Sequence, residues 1–281
     1  MTHECDFPDG ARSKPKLTAN RISEAVSSRQ IDQAVRTSIQ AGKGVYELDF
    51  DNLTKAEPDL IFTQELCEVC AVPYSEIHRA AKRLSKKPEI VSLDTFTLGD
   101  ILAAIELVGS KCEKASESRQ ITDALKSRIE RVERLTSAHG GGKGVFFMEW
   151  IDPPMSCGHW MPEVIEKAGG TDLFGVHGRN SRRIDWKEIV EASPEYLIVA
   201  PWGFGVERAE VEARQLTNLE GWNDIRAVRD GNVFVSDGNA YFSRPGPRIV
   251  DGLEIIASML NPEVKGHIGK YGSGDYWRLR T

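Results

Sequence analysis

The chain has 281 residues, a length that allows one large domain or two lobes with separate cores. Its 36 Lys and Arg against 42 Asp and Glu give a formal net charge of −6, which offers no support for binding to nucleic acid or to an anionic membrane. No run approaches the ~18 apolar residues of a transmembrane helix, so we expect no membrane insertion. The first residues, Met1 to Asp6, lack the basic and apolar regions of a signal peptide. We therefore expect the chain, as written, to be cytoplasmic.

In the first half of the chain, short apolar runs alternate with amphipathic segments. Ser27 and Gln30 stand at capping-box spacing, before an amphipathic helix that we expect to end at Gly42. The other elements predicted in this half are helices over 51–56, 74–84 and 97–108, and strands over 60–62 and 90–93. This alternation predicts βαβ units and a mainly parallel sheet.

A long polar segment without Gly or Pro then covers residues 113–137, and its apolar positions recur every three or four residues. It predicts a single long helix that ends at the glycines of 140–142. The elements predicted after it are strands over 144–148, 196–199 and 233–235, and helices over 159–168, 185–192, 206–216 and 248–260. We assign no element to the tail, residues 263–281.

An internal similarity favours two like lobes. The segment from Leu53 to Asp59 matches the segment from Ile189 to Glu195, because in each a helix is broken by a proline and an apolar strand follows at once. Helix–proline–strand junctions are also common in α/β chains, which is the alternative explanation. With the long helix, the match predicts two Rossmann-like lobes joined by one rigid helix: an N-terminal lobe (1–112), a connecting helix (113–139) and a C-terminal lobe (140–281). A ligand would then lie between the lobes.

The stretch from Glu149 to Trp160 carries two tryptophans on what we predict to be a loop after a buried strand. Two indoles on such a connection favour a ligand platform at the carboxyl end of a strand, where open α/β sheets bind ligands. The alternative is that both indoles pack beneath the loop.

Three predicted strand-end loops, 149–160, 201–205 and 237–247, hold many of the aromatic residues of this lobe. Those aromatic residues are Trp150, Trp160, Trp202, Phe204, Tyr241 and Phe242. The polar residues among them are Glu149, His159, Asn239, Ser243 and Arg244. Apolar walls with a few placed polar groups are typical of a small-molecule pocket, although any one of these rings is about as well explained by core packing.

The five cysteines are odd in number and sparse, which favours a reduced compartment over a disulfide framework. Cys67-x-x-Cys70, with His3-x-Cys5 folded over it, is a candidate metal site, with zinc as the candidate ion, or a redox site. The alternative is a pair of small buried cysteines at the start of a helix. The sequence contains no phosphate-binding loop, no nucleophile elbow and no His-Glu-x-x-His motif.

Several motifs carry a resemblance over nearly the whole chain. They are His3-Glu4-Cys5-Asp6, the segment from Cys67 to Val72, the segments 149–154 and 158–163, and the segment from Asp237 to Arg248. They resemble the class of periplasmic binding proteins that deliver vitamin B12 and iron–siderophore complexes to ABC importers, and in particular a cobalamin-binding-protein-like subgroup.

The resemblance implies a binding protein and not an enzyme, with a corrinoid such as cobalamin, or a similar bulky metal complex, as its ligand and an ABC importer permease as its partner if the chain is exported. The residues expected to stack on or wall the ligand are Trp150, Trp160, Trp202, Tyr241 and Phe242. Glu149, Asn239 and Arg244 would hydrogen-bond its polar edge. His159 would either coordinate the metal centre or support a residue that does.

The chain differs in two ways from the members of the class that it resembles. Its members carry a signal peptide and begin with a strand–turn–helix ahead of the His-Glu-Cys-Asp motif, whereas this chain starts at that motif. We expect the first lobe to be incomplete or adapted to the loss. The competing functions are an intracellular metal-binding or redox protein that uses Cys5, Cys67, Cys70 and His3, and an interaction protein without a ligand.

Overall fold

The computed structural model describes residues 1–23, 26–42, 44–65, 72–138, 140–272 and 274–279. The chain forms two compact units, Met1–Asp94 and Thr95–Thr281. Both units combine helices with strands, which confirms the predicted α/β class. The predicted boundaries at residues 112 and 139 stay a prediction. Within the described ranges, none of the helices combines the length and the apolar character needed to span a membrane.

The first unit contains two small sheets with helices packed on them. Its elements are β1 (Thr18–Asn20), α1 (Ser28–Gln40), β2 (Tyr46–Leu48), α2 (Phe50–Ala56), β3 (Leu60–Thr63), α3 (Tyr74–Arg83) and β4 (Glu89–Ser92), with a 3-10 turn at Asp9–Ala11. β1 pairs with β2 antiparallel, and β3 pairs with β4 parallel. The expected capping box of α1 is present, because Ser27 Oγ accepts from Gln30 N and Gln30 Oε1 accepts from Ser27 N.

The second unit is built around one larger sheet. Its helices are α4 (Leu98–Lys111), α5 (Ala115–Ser137), α6 (Met161–Lys167), α7 (Trp186–Ala192), α8 (Val206–Ala213), α9 (Arg226–Arg229), α10 (Gly238–Tyr241) and α11 (Ile249–Leu260). Its strands are β5 (Lys143–Trp150), β6 (Met155–Ser156), β7 (Gly170–Asp172), β8 (Tyr196–Val199), β9 (Val233–Ser236) and β10 (Tyr276–Arg278). Short 3-10 segments cover Arg214–Asn218, Trp222–Asp224 and Pro262–His267.

The order of the strands in this sheet is β10-β9-β8-β5-β6, and β7 also pairs with β5. The strands β7, β5, β8 and β9 run parallel, whereas β6 and β10 run antiparallel to their neighbours. Val145, Phe147, Ile198 and Phe234 from these strands belong to one buried apolar cluster with residues of α5, α6 and α11. Because β5, β8 and β9 are parallel neighbours, the loops that follow them leave the sheet at the same edge.

The predicted long helix is α5, which begins two residues later than expected and packs against α4 within the second unit. The helix predicted over 206–216 ends at Ala213, where the chain tightens into a 3-10 segment. The internal similarity is confirmed at the level of local structure. Helices α2 and α7 each have seven residues, each ends at a residue with a left-handed backbone, and a strand follows the proline in both.

Candidate ligand-binding site

The three predicted loops meet at the carboxyl edge of the sheet in the second unit. Trp202 N donates to Glu149 O at 3.1 Å, which joins the loop after β8 to the end of β5. Asn239 N donates to Phe204 O at 3.2 Å, which joins the loops after β9 and β8. Gly238 lies so close to Pro201 that a Cβ at this position would stand 2.1 Å from the Pro201 carbonyl oxygen. The loops therefore form one hydrogen-bonded ledge, which we call the carboxyl-edge ledge (residues 149–160, 201–205 and 237–247).

Two of the predicted tryptophans are partly exposed on this ledge. Trp150 packs edge-on against Phe204 with ring centroids 5.3 Å apart, and its Nε1 donates to Asp152 O at 3.2 Å. On Phe204 itself, the Arg208 guanidinium lies 3.6 Å from the ring centroid. Trp202 is also partly exposed. These contacts orient Trp150 and leave part of both indoles accessible, as a stacking surface requires.

Trp160 and Phe242, by contrast, are core residues. They are 6% and 3% exposed and belong to the main apolar cluster of the second unit. Trp160 Nε1 donates to Phe242 O at 3.3 Å, and Phe242 packs edge-on against Phe147 at 5.1 Å. The structure thus places these two rings, which the sequence assigned to the ligand, beneath the ledge, where they support it. Their contact with a ligand stays a prediction.

Four of the five predicted polar residues are partly exposed, whereas Ser243 is buried, and its Oγ donates to Gly238 O at 2.7 Å. Glu149 Oε1 accepts from Ser181 Oγ at 2.6 Å. Asn239 Oδ1 accepts from Arg244 Nη2 at 2.5 Å. The two residues of that pair lie on the same loop, with Asn239 on the short helix α10. These bonds fix the side chains in advance, which lowers the entropy lost when a ligand binds.

His159 has an unusual backbone and an unpaired ring nitrogen. Its φ is 53°, and its N–H and C=O are held by Arg179 O at 2.6 Å and Gly178 N at 3.0 Å. Its Nε2 is buried without a hydrogen-bond partner, and the ring lies near Phe96, with centroids 6.1 Å apart. Burial lowers the pKa of His159, and a hydrogen bond with Asn180 opposes this shift only in part. The imidazole is therefore held in the neutral form, the form that binds transition metals.

Tyr241 is tied to a residue that the sequence did not point to. Its hydroxyl donates to Asp275 Oδ1, and Asp275 lies in the tail to which no element was assigned. Burial and then the Asp275 carboxylate raise the pKa of Tyr241. The alternation through Tyr276, Trp277 and Arg278 would have been the signal for β10, but three residues are too short to distinguish a strand.

A second unforeseen contact joins the 149–160 loop to β7. The buried thiol of Cys157 donates to Asp172 Oδ2 at 2.8 Å, while Asp172 Oδ1 accepts from Phe174 N and Gly175 N. Burial and then the Asp172 charge raise the pKa of Cys157. Burial also raises the pKa of Asp172. This thiol is protonated and packed, so it braces the loop and is poorly placed for nucleophilic chemistry.

The candidate metal site of the first unit is only partly described. Cys67 and Cys70 lie outside the described residues. His3 Nδ1 is 2.8 Å from Thr18 Oγ1, and Cys5 Sγ is 3.1 Å from Thr2 Oγ1. No group of three or more His, Cys, Asp or Glu suited to a metal ion occurs among the residues that the structure describes. A zinc ion on His3, Cys5, Cys67 and Cys70 stays a prediction.

The fold of the second unit, a parallel-rich sheet flanked by helices, together with a ledge of strand-end loops, defines an α/β protein of the kind that holds a ligand at the carboxyl edge of a sheet. Residues 15–240 match the family described as periplasmic binding protein. Because this match covers most of the sequence, the chain belongs to that family, which confirms the resemblance read from its motifs. None of the curated proteins compared with the chain matches it.

Solved structures show the same fold at low sequence identity. An ABC transporter substrate-binding protein from Listeria monocytogenes is 17% identical, with 78% of this chain and 81% of that chain covered and a TM-score of 0.64. A periplasmic heme binding protein from Pseudomonas aeruginosa is 16% identical, with 84% and 82% covered and a TM-score of 0.64. The periplasmic vitamin B12 binding protein of Vibrio cholerae is 18% identical, with 78% and 80% covered and a TM-score of 0.55. At these identities the likeness establishes the fold alone.

Proposed function

We propose that the chain is a substrate-binding protein for a bulky metal complex, a corrinoid such as cobalamin first, and that it delivers this ligand to an ABC importer permease. The observation that carries the proposal is the carboxyl-edge ledge, where loops from three neighbouring parallel strands meet and expose part of Trp150 and Trp202. Family membership supports a binding role over an enzymatic one. The proposal includes export of the chain from the cytoplasm. The alternative is the cytoplasmic location expected from the sequence.

The candidate contacts of the ledge come from three separate loops, which favours a large planar or globular complex as the ligand. Two indoles, a phenol and the Asn239–Arg244 pair are spread over three loops, so a small ion would contact only a fraction of them. The similar proteins of Vibrio cholerae and Pseudomonas aeruginosa are named for vitamin B12 and for heme, which are both large metal macrocycles. Stacking area and a few charge-assisted hydrogen bonds support binding of about −8 kcal/mol, or a micromolar Kd.

His159 is the proposed contact to the metal centre. A buried nitrogen without a hydrogen bond costs about 1–3 kcal/mol, and a ligand that supplies a partner would offset that cost. Since burial keeps the imidazole neutral, a lone pair is present for coordination at pH 7. The exposed ring of Phe96 lies beside the imidazole, with centroids 6.1 Å apart, so an apolar part of a bound complex could contact it.

The test is a fluorescence titration of the purified chain with cyanocobalamin, haemin and a ferric hydroxamate siderophore. Because Trp150 and Trp202 lie on the ledge, we expect saturable quenching by one of the three, with a Kd of about 1 μM. Trp150→Phe and Trp202→Phe should each reduce the amplitude of quenching. Trp186→Phe is the matched control, because Trp186 lies on α7 outside the three loops. The proposal fails if none of the three compounds gives saturable quenching.

A further inference from the structure

The C-terminal tail brings a carboxylate to the carboxyl-edge ledge. β10 runs antiparallel to β9, with Tyr276 opposite Ser236, so the residue before β10 lies where β9 ends. Asp275 O there accepts from Asp237 N at 3.2 Å and from Ser236 Oγ at 2.8 Å. Asp275 Oδ2 accepts from Gly272 N at 2.8 Å. The Asp275 side chain is therefore fixed at the ledge by both its backbone and its own turn, and the residue is partly exposed.

The other carboxylate oxygen of Asp275, Oδ1, determines whether the Tyr241 hydroxyl can donate a hydrogen bond to a ligand. A phenol has one proton, and Tyr241 donates it to Asp275 Oδ1. The phenol oxygen can then only accept a further hydrogen bond. Burial and Asp275 raise the pKa of Tyr241, so it does not become a phenolate near neutral pH. Tyr241 and Asp275 together form a part of the ledge that accepts hydrogen bonds and carries a negative charge.

The neighbouring pair on the same loop supplies the complementary groups. Arg244 Nη2 donates to Asn239 Oδ1, so the oxygen of that amide is already bonded and its NH₂ group is the part suited to a ligand. A carboxamide presents both an oxygen that accepts and an NH₂ that donates, and it matches both sides of this arrangement. A carboxylate can pair with Arg244, but it presents acceptors only, so it has no proton for Tyr241 and meets the like charge of Asp275.

We propose that Asp275 is a specificity-determining residue, which makes Tyr241 an acceptor and thereby selects metal complexes that bear carboxamides over complexes that bear carboxylates. The inference rests on the proposed function and narrows it, since the peripheral arms of a cobalamin are carboxamides whereas haem carries two carboxylates. Asp275 acts partly through Tyr241 and partly through its own charge. Neither the sequence motifs nor the names of the similar proteins point to this residue.

The experiment measures the Kd of cyanocobalamin and of haemin for the wild-type chain and for Asp275→Asn. The asparagine has the same shape but can donate, and it removes the charge. We expect cyanocobalamin to bind the wild type more tightly than haemin, and Asp275→Asn to weaken cyanocobalamin binding about tenfold without weakening haemin binding. Asp230→Asn is the matched control, since Asp230 is an exposed acid paired with Arg226 after α9. It should change neither Kd.

Tyr241→Phe separates the two routes by which Asp275 acts. It should weaken cyanocobalamin binding, and adding Asp275→Asn should cost less than it does in the wild type, because the shared hydrogen bond is already gone. Urea unfolding of each variant establishes that it is folded. Equal losses for both ligands in Asp275→Asn, or a wild type that prefers haemin, would overturn the inference while the binding function stands. A wild type that binds neither ligand removes the proposed function, and the inference falls with it.

Discussion

At the scale of single residues, His159 combines a strained backbone with an unpaired ring nitrogen on the ledge. Its left-handed backbone is costly for a residue with a Cβ, and two hydrogen bonds to the 178–179 segment hold it there. The neighbouring Gly158 leaves room for that segment, because a Cβ on it would stand 2.4 Å from Ser181 N. The strain and the unpaired Nε2 coincide on one residue of the site. Such strain is often retained where it positions a functional group.

His159→Asn should separate the backbone from the imidazole. Asn tolerates a positive φ, so the variant should fold, but it lacks the ring. The pKa of His159 is lowered in the folded chain, so as pH falls through the ordinary histidine value of 6.5 the unfolded chain takes up a proton before the folded chain does. The wild type should therefore lose stability relative to His159→Asn as pH falls from 7.5 to 5.5.

Urea unfolding of both proteins at the two pH values measures this difference. Asn substitution at exposed His177 controls for the loss of an imidazole elsewhere. A difference between wild type and His159→Asn that stays constant with pH would show that the folded chain does not disfavour the charged ring. In a cyanocobalamin or haemin complex, the same variant should also alter the visible absorption band if His159 reaches the metal.

Sequence alone could not assign the two tryptophans of the 149–160 stretch to different roles. Both follow the same strand, and both have the apolar area and the N–H that a ligand platform or a core would use. Trp160 is buried in the main apolar cluster, and its Nε1 donates to the carbonyl of Phe242, 82 residues further along the chain. Trp150 is partly exposed, and its ring packs against Phe204, 54 residues further along the chain. Long-range partners of this kind leave no signal in the local pattern.

At the scale of elements, the helix–proline–strand repeat is the feature that the sequence predicted best. Helices α2 and α7 end at Glu57 and Ser193, whose φ values are 40° and 43°. In both, a proline follows and prevents the helix from continuing. The left-handed residue at the end of each helix is the position that glycine usually occupies.

Glycine should raise the stability of the chain at Glu57 but not at Ser193. Glu57→Gly relieves the left-handed strain of an exposed residue and should raise the free energy of unfolding by about 0.5–1 kcal/mol. Ser193→Gly relieves the same strain but removes the hydroxyl that accepts from Arg226 N at 2.9 Å, so it should give no gain. Chemical denaturation of the two variants makes the comparison. Equal gains at both positions would mean that the Ser193 hydrogen bond contributes nothing.

The strands that sequence reasoning missed are the short ones. β1, β2, β7 and β10 have three residues each and β6 has two, too few for a period of two to be recognised. Three of them form because a longer neighbour offers unpaired backbone groups: β6 and β7 add to β5, and β10 adds to β9, whereas β1 and β2 pair with each other. The longer strands β5, β8 and β9, which carry the ledge, have continuous apolar runs and were predictable. The order of those strands in the sheet was not.

At the scale of the whole molecule, a buried glutamate connects distant parts of the second unit. The Glu254 side chain on α11 is 1% exposed, and it pairs with Arg128 on α5, whose Nε and Nη2 donate to its two oxygens at 3.1 and 2.9 Å. Tyr271 OH and Gly269 N of the tail also donate to it, at 2.7 and 3.1 Å. The same tail carries Asp275 to the ledge. Glu254 therefore anchors the segment that, by our inference, sets the ligand preference.

The long separation of these partners in the chain explains why the sequence pattern did not predict the network. Arg128 and Glu254 are 126 positions apart. On a polar helix such as α5, an arginine would ordinarily be assigned to solvent. Burial alone would raise the pKa of Glu254, but the bonds from Arg128 and Tyr271 outweigh it and lower the pKa below the ordinary glutamate value of 4.5. A network satisfied this completely fixes one arrangement of helix and tail.

Glu254→Gln should test how much the second unit depends on this network. The amide keeps the shape but removes the charge that Arg128 Nε and Nη2 both contact, while Asp251, 2.6 Å from Arg128 Nη2, remains, so we expect a loss of about 2 kcal/mol in the free energy of unfolding at pH 7. Glu130→Gln on α5, the helix that carries Arg128, is the control: its pair with Arg134 is exposed, and we expect a loss below ~0.5 kcal/mol. Because the pKa of Glu254 is lowered, its contribution is present above pH 4.5 and disappears as pH falls through the folded value. The gap between wild type and Glu254→Gln should therefore narrow in acid, and a gap that is small at pH 7 or independent of pH would show that the tail is held by its apolar contacts instead.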